Sequence, residues 1–341
     1  MPFIIIRLIL NGEKCNYIQI KTGIMIKRDY MKKYLRIIFL TITILILISY
    51  FAITYAIRFI IPYAPIRPIR IPKELYLKDP NGLKNPSSVG LDYSDFNITT
   101  EDSIQLKGWF IYSQMKPARG TIFLLHGISN CKNSMLPMAK MLSEEGFNCV
   151  CFDLRANGES GGLNCTFGYY EKKDLSRYID SAVVRFPGSA PYGIFGHSLG
   201  AAITLQTMAD DKRLVCGIAA SPFASLRNII RDYFARYTMV RFDSIPDKAL
   251  IYTEQIAHFQ IDSVQPALSA KSILQPMMII HGLKDKNISP SHGKEIFNNL
   301  SSKEKIWYPI GGAGHNDLPY VGGSEYNKRI IEFYKKYLVK E

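Results

Sequence analysis

The sequence predicts an α/β fold, a mostly parallel central sheet with helices on both faces, preceded by one N-terminal transmembrane helix. Three observations predict it. From about residue 92 onward short apolar runs alternate with amphipathic helical patterns, which is how a parallel sheet covered on both faces reads in sequence. Upstream, Ile37 to Ile57 is a stretch of 21 residues without a charge. The composition, 47% hydrophobic and 21% charged over 341 residues, is that of a chain with a sizeable core. It excludes wholesale disorder, collagen-like and coiled-coil architectures, and the length allows two domains or one large α/β domain with appendages.

In chain order, residues 1–36 form a basic tail. The net charge of +13 is not spread evenly: residues 1–78 hold 13 Lys and Arg against 3 Asp and Glu, and the remainder holds 29 against 26. Basic charge confined to the flank of an apolar run points to an anionic membrane surface, so no nucleic-acid partner is expected. Met31-Lys32-Lys33-Tyr34 reads like the start of an exported or anchored chain, with a short basic region before the apolar run.

Residues 37–57 are long enough, at 1.5 Å per residue, to span a hydrocarbon core of roughly 30 Å. The run exceeds a signal-peptide core and no clean A-x-A site follows, so it reads as an uncleaved anchor. Lys27, Arg28, Lys32, Lys33 and Arg36 precede it, whereas Arg58, Arg67 and Arg70 follow. That imbalance puts the N-terminus inside and the rest of the chain on the extracytoplasmic side, the periplasm in a Gram-negative source. Residues 58–91 are a Pro-rich linker, in which Pro62, Pro65, Pro68 and Pro72 predict an extended polyproline stalk.

Residues 92–341 form the catalytic domain. Strands are expected over residues 106–112, 121–125, 147–152, 192–195, 214–219, 277–280 and 305–309, and helices over 134–145, 171–186, 201–210, 292–300 and 324–338. In an open parallel sheet, functional groups collect beyond the carboxyl ends of the strands. The strand starting at Tyr192 ends in Gly196-His197-Ser198-Leu199-Gly200 and runs into a helical pattern, which is a G-x-S-x-G nucleophile elbow.

A serine hydroxyl needs a base, and that base needs an orienting acid. Of the six histidines, only His315 follows the last strand, in Gly311-Gly312-Ala313-Gly314-His315. His126 and His281 precede glycines at strand ends and are expected to shape backbone. His197 is expected to point away from the serine, and His258 and His292 to be ordinary surface or helix residues. Asp285 closes the strand end His281-Gly282-Leu283-Lys284-Asp285 and completes the chain order Ser, Asp, His. Asp317 lies too near His315 to reach its ring, and Asp262 lies in an irregular segment. The oxyanion donors are expected to be the amides of Leu199, directly after the serine, and Ile128, in the loop beginning His126-Gly127.

These motifs give the chain a resemblance to α/β-hydrolases, specifically to the membrane-tethered serine hydrolases of the lysophospholipase-like and serine aminopeptidase-like group. The resemblance covers about residues 92–340 through H-G-I, F-D-L-R-A-N-G-E-S-G-G, G-H-S-L-G, H-G-L-K-D and G-A-G-H, in family order. It implies hydrolysis of an ester, thioester or amide without a cofactor, on a small acyl or lipid-like substrate. One departure is Ala156-Asn157 after Arg155, where the family commonly has a glycine and a variable residue; this is expected to concern a structural loop. In the resembling family an insertion between residues 221 and 276 caps the site, and extra packing on the sheet edge is the alternative. A non-catalytic membrane-tethered binding protein is the competing class; a missing triad member would favour it, and none is missing.

The cysteines show no zinc spacing and no metal is expected. Cys149, Cys151 and Cys216 read as small core residues. Cys131 and Cys165 follow two consecutive strands at the rim of the sheet, and a disulfide between them is expected if that side of the membrane is oxidising.

Overall fold

The computed structural model describes residues 17–19, 25–71 and 83–338. Cys15, Pro72 and the middle of the expected linker lie outside the described residues. The chain divides into two compact units, Met1–Ile60 and Ile61–Glu341.

In the first unit β1 (Tyr17–Gln19) pairs antiparallel with β2 (Met25–Lys27), which leads into a 32-residue helix, α1 (Arg28–Phe59). The helix begins before the uncharged run because Lys and Arg are good helix formers and no proline interrupts the pattern until Pro62. It is long and apolar enough to cross a membrane. The Thr41 and Thr43 hydroxyls donate to the carbonyls of Ile37 and Phe39 at 2.8 and 2.9 Å, which satisfies them without water. Tyr34 and Tyr55 stand about 31 Å apart along the axis, the spacing of two interfacial aromatic belts.

In the second unit the expected polyproline stalk is not found. Tyr63–Ile66 forms a single helical turn, α2, with Pro65 inside it. Proline is tolerated in a first turn, whose amides lack intrahelical partners anyway. The segment is packed down: Ile66 is fully buried, its carbonyl accepts from the Cys165 amide at 2.7 Å, and the Pro62 carbonyl accepts from Thr253 Oγ1 at 3.0 Å. Burial of Ile66 outweighs the extended preference of the prolines.

The main sheet has eight strands: β3 (Tyr93–Asp95), β6 (Gly108–Ile111), β7 (Thr121–Leu125), β8 (Asn148–Phe152), β9 (Tyr192–His197), β10 (Leu214–Ala220), β11 (Met277–Gly282) and β12 (Lys305–Ile310). Their order is β12-β11-β10-β9-β7-β8-β6-β3. β3 and β6 are antiparallel to their neighbours, and the rest of the sheet is parallel. The run expected as one strand over 106–112 is divided: Leu106 belongs to a small ribbon of β4 (Ile98–Thr99) and β5 (Gln105–Leu106). Gly108 starts β6 where a Cβ would press on the Phe152 side chain at 2.8 Å.

Side chains alternate between two apolar layers, as period-two geometry demands. Phe123, Val150 and Phe152 face the layer of α4 (Glu171–Arg185) and α5 (Leu199–Asp210). Ile122, Cys149 and Cys151 face the layer of α3 (Leu136–Glu144) and the C-terminal helix. Cys149, Cys151 and Cys216 are thus core residues, with their thiol pKa values pushed up by burial. The chain reverses its direction of winding between β8 and β9, which lie on opposite sides of β7. That reversal opens a crevice beyond the carboxyl ends of β7 and β9.

It also explains why the expected disulfide is absent. The loop after β7 feeds α3 on one face of the sheet, whereas the loop after β8 feeds α4 on the other. Cys131 and Cys165 are both buried and are not bridged to one another. Cys131 Sγ donates to Asn133 Oδ1 at 3.4 Å, and Cys165 is packed in the α4 layer.

Between β10 and β11 stand α6 (Leu226–Thr238), α7 (Ser244–Ala257) and the short α8 (Pro266–Ser269). After β11 come α9 (Pro290–Asn299) and, beyond β12, α10 (Leu318–Tyr337), which breaks at Gly323.

Candidate active site

The elbow after β9 puts Ser198 at φ 54° and ψ −113°, a conformation that L-residues rarely adopt. The flanking glycines make it possible: a Cβ on Gly196 would collide with the Gly200 carbonyl, and one on Gly200 with the Leu125 carbonyl of β7. The Ser198 amide donates to the Ala220 carbonyl of β10 at 2.8 Å, which pins the turn to the sheet. The side chain, 8% exposed, stands at the start of α5.

The structure brings Ser198, His315 and Asp285 together. His315 Nε2 lies 2.9 Å from Ser198 Oγ, and His315 Nδ1 lies 2.7 Å from Asp285 Oδ2. A carboxylate can only accept, so Nδ1 carries the proton and Nε2 is free to accept from the serine hydroxyl. Burial alone would raise the pKa of Asp285, but hydrogen bonds from His281, from His315 and from the Ile288 amide outweigh it and hold the carboxyl well below the usual range. Its Oδ1 accepts from the amides of Asn287 and Ile288 at 2.8 and 2.9 Å. The acid is therefore ionised and fixed beneath the imidazole.

Three other histidines are held by side-chain hydrogen bonds. His197 Nε2 meets the His315 carbonyl at 2.9 Å; enclosure, with His315 adding to it, draws its pKa down to about 4. His281 Nε2 donates to the Ile288 carbonyl at 3.0 Å. His292 is not an ordinary surface residue: it is buried, accepts from the Ala224 amide at Nδ1 and meets Asp232 at Nε2, both at 3.2 Å. Asp317 accepts from the Gly314 amide at 2.6 Å and so holds the loop that presents His315, whereas Asp262 pairs with Arg227.

Neither the Leu199 nor the Ile128 amide has a partner among the described residues, and both residues line the cavity at Ser198. Two residues steady the second of these amides. His126 is fully buried, and burial depresses its pKa, so it is neutral. Its Nε2 accepts from the Leu154 amide at 3.1 Å, which leaves the single proton on Nδ1 to donate to the Gly127 carbonyl at 2.7 Å. In a trans peptide the carbonyl and the next amide point opposite ways, so this bond aims the Ile128 N–H. Asn157 Oδ1 accepts from the Ser129 amide at 3.0 Å. At the departure from the family pattern, Ala156 adopts φ 60° and Asn157 supports the oxyanion loop, a role that sequence reasoning missed.

Two clefts meet at Ser198. One, of about 490 Å³, is largely apolar and is lined by residues of α2, α6 and α7. The other, of about 770 Å³, includes His315. Among the described residues no cluster of three His, Cys, Asp or Glu could hold a metal ion.

The comparisons agree with this architecture. Residues 116–250 match the family model described as serine aminopeptidase, S33. The uncharacterised protein YqkD of Bacillus subtilis is 24% identical over 250 residues, which are 71% of this chain and 79% of YqkD. The uncharacterised membrane protein YNL320W of Saccharomyces cerevisiae is 24% identical over 244 residues, 70% of this chain and 78% of its own. The esterase PF2001 of Pyrococcus furiosus superposes with a TM-score of 0.65 at 24% identity, over 81% of this chain and 99% of the esterase. The chain has the α/β-hydrolase fold.

Proposed function

We propose that this protein is a membrane-anchored serine hydrolase that cleaves a carboxylic ester through an acyl-enzyme. The observation that carries the proposal is the hydrogen-bonded series Ser198–His315–Asp285, with contacts of 2.9 and 2.7 Å. Ser198 Oγ attacks the carbonyl carbon as His315 Nε2 takes its proton, and the developing oxyanion is received by the amides of Ile128 and Leu199. Collapse expels the leaving alcohol, protonated by His315, and leaves an acyl-serine. Water, deprotonated by the same imidazole, attacks the acyl group and releases the acid and the free serine. Asp285 orients His315 and balances its charge while it is protonated.

An ester is favoured over an N-terminal peptide by the lining of the two clefts. A free α-ammonium calls for a carboxylate, and among the described residues neither Asp nor Glu lines either cleft. The anchor α1, with five basic residues before the apolar run and three after it, supports a catalytic unit on the extracytoplasmic side.

The test is Ser198→Ala in the detergent-solubilised full chain. The variant is expected to melt with the wild type, lose ester turnover and no longer react with a fluorophosphonate. Undiminished labelling would overturn the assignment of the nucleophile.

A further inference from the structure

The chain immediately after the membrane helix forms one wall of the cleft beside Ser198. Ile61, Ala64 and Pro65 line the 490 Å³ cavity opposite Ile229 of α6 and Leu250 of α7, with Phe223 also in the lining. This wall is fixed by the Thr253–Pro62 and Cys165–Ile66 hydrogen bonds and by the burial of Ile66. The cavity's one basic residue, Arg236, is engaged: it donates to Asn287 Oδ1 at 3.2 Å and stacks 4.4 Å above the Tyr233 ring.

Which cleft takes which half of the substrate follows from the proton path. His315 must protonate the leaving oxygen, so the leaving group lies on the imidazole side, and His315 lines only the larger cleft. The acyl part is left with the apolar one. Among the described residues the larger cleft carries Asn130, Asn316, Asn327 and Ser134 but no Lys, Arg, Asp or Glu. Such a lining offers hydrogen bonds to hydroxyls. It offers no cation to a phosphate and no carboxylate to an ammonium group.

Resting on the hydrolase reading above, we infer that α2 is the specificity-determining wall of an acyl-chain site, and that the substrate joins an unbranched acyl chain to an uncharged, hydroxyl-bearing alcohol. Each methylene that enters the cavity raises kcat/KM by about fourfold until the cavity is full. Ala64 is the residue to change, because it lines the cavity yet is exposed and fills no core position.

The experiment measures kcat/KM of the full chain in detergent on acetyl, butyryl, octanoyl and dodecanoyl p-nitrophenyl esters. It then compares the dodecanoyl ester of glycerol with dodecanoyl lysophosphatidylcholine, for wild type and Ala64→Trp. A steep rise with chain length is expected in the wild type. In Ala64→Trp the ratio of kcat/KM on the octanoyl and dodecanoyl esters to that on the acetyl ester should fall at least tenfold. The glycerol ester should exceed the phosphocholine ester by at least tenfold. A flat wild-type profile, or an unchanged profile in Ala64→Trp, overturns the role of α2 while ester turnover keeps the hydrolase reading intact. Preference for the phosphocholine ester overturns the leaving-group assignment. A wild type that neither labels nor turns over any ester removes both readings.

Discussion

In the proposed mechanism His126, though remote from proton transfer, acts on the reacting carbonyl through the Gly127–Ile128 peptide. Its two hydrogen bonds, from the Leu154 amide and to the Gly127 carbonyl, set one tautomer and one orientation of the Gly127–Ile128 peptide. In His126→Ala the Gly127 carbonyl is free to turn, and the buried Leu154 amide loses its partner at a cost of about 1–3 kcal/mol. Loss of an oxyanion donor lowers kcat by roughly 10²–10³, so a donor that is misaimed but still present should cost roughly tenfold to a hundredfold. Steady-state kinetics on a short ester should show the fall in kcat with KM little changed. An unaltered kcat would leave His126 a purely structural residue. At this scale the grouping of Ser198, Asp285 and His315 was legible, because their residue types are tied to motifs, and the three side chains do lie in hydrogen-bond contact. The sequence did not show the hydrogen bonds of His292 and Asn157, whose partners Ala224 and Ser129 are brought near only by the tertiary fold.

At the scale of elements, periodicity located most strands and helices to within a few residues, since burial on both sheet faces leaves continuous apolar runs such as Thr121–Leu125. The two failures have one origin. Local sequence gave Pro62–Pro68 an extended preference, and the spacing of Cys131 and Cys165 suggested neighbouring loops. Both readings lacked the packing term: Ile66 draws its segment onto the second unit, and consecutive helices leave the sheet on opposite faces. The lack of a Cys131–Cys165 bridge has a measurable consequence. Native protein isolated without reductant should melt at the same temperature with and without added thiol, and after unfolding in alkylating agent both Cys131 and Cys165 should be modified. A Cys131–Cys165 peptide in the unreduced digest would contradict the fold around them.

At the scale of the whole molecule, basic charge is concentrated at one end: the first 78 residues carry a net +10 and the rest only +3. Positive charge resists translocation, each Lys or Arg being costly to move through the bilayer. With Lys27, Arg28, Lys32, Lys33 and Arg36 ahead of the apolar run and Arg58, Arg67 and Arg70 behind it, the N-terminal flank should stay in the cytoplasm. A reporter fused to the N-terminus should therefore be protected in intact spheroplasts. Protease added outside should remove the hydrolase unit, and carbonate washing should leave the full-length chain in the membrane. Reversing the imbalance, by Lys32→Gln, Lys33→Gln and Arg36→Gln together with two lysines added after Arg58, should protect the hydrolase unit in a measurable fraction of molecules. Protection of the unit in the unmodified chain would reverse the orientation, and its recovery in the soluble fraction would mean that the apolar helix is removed rather than retained.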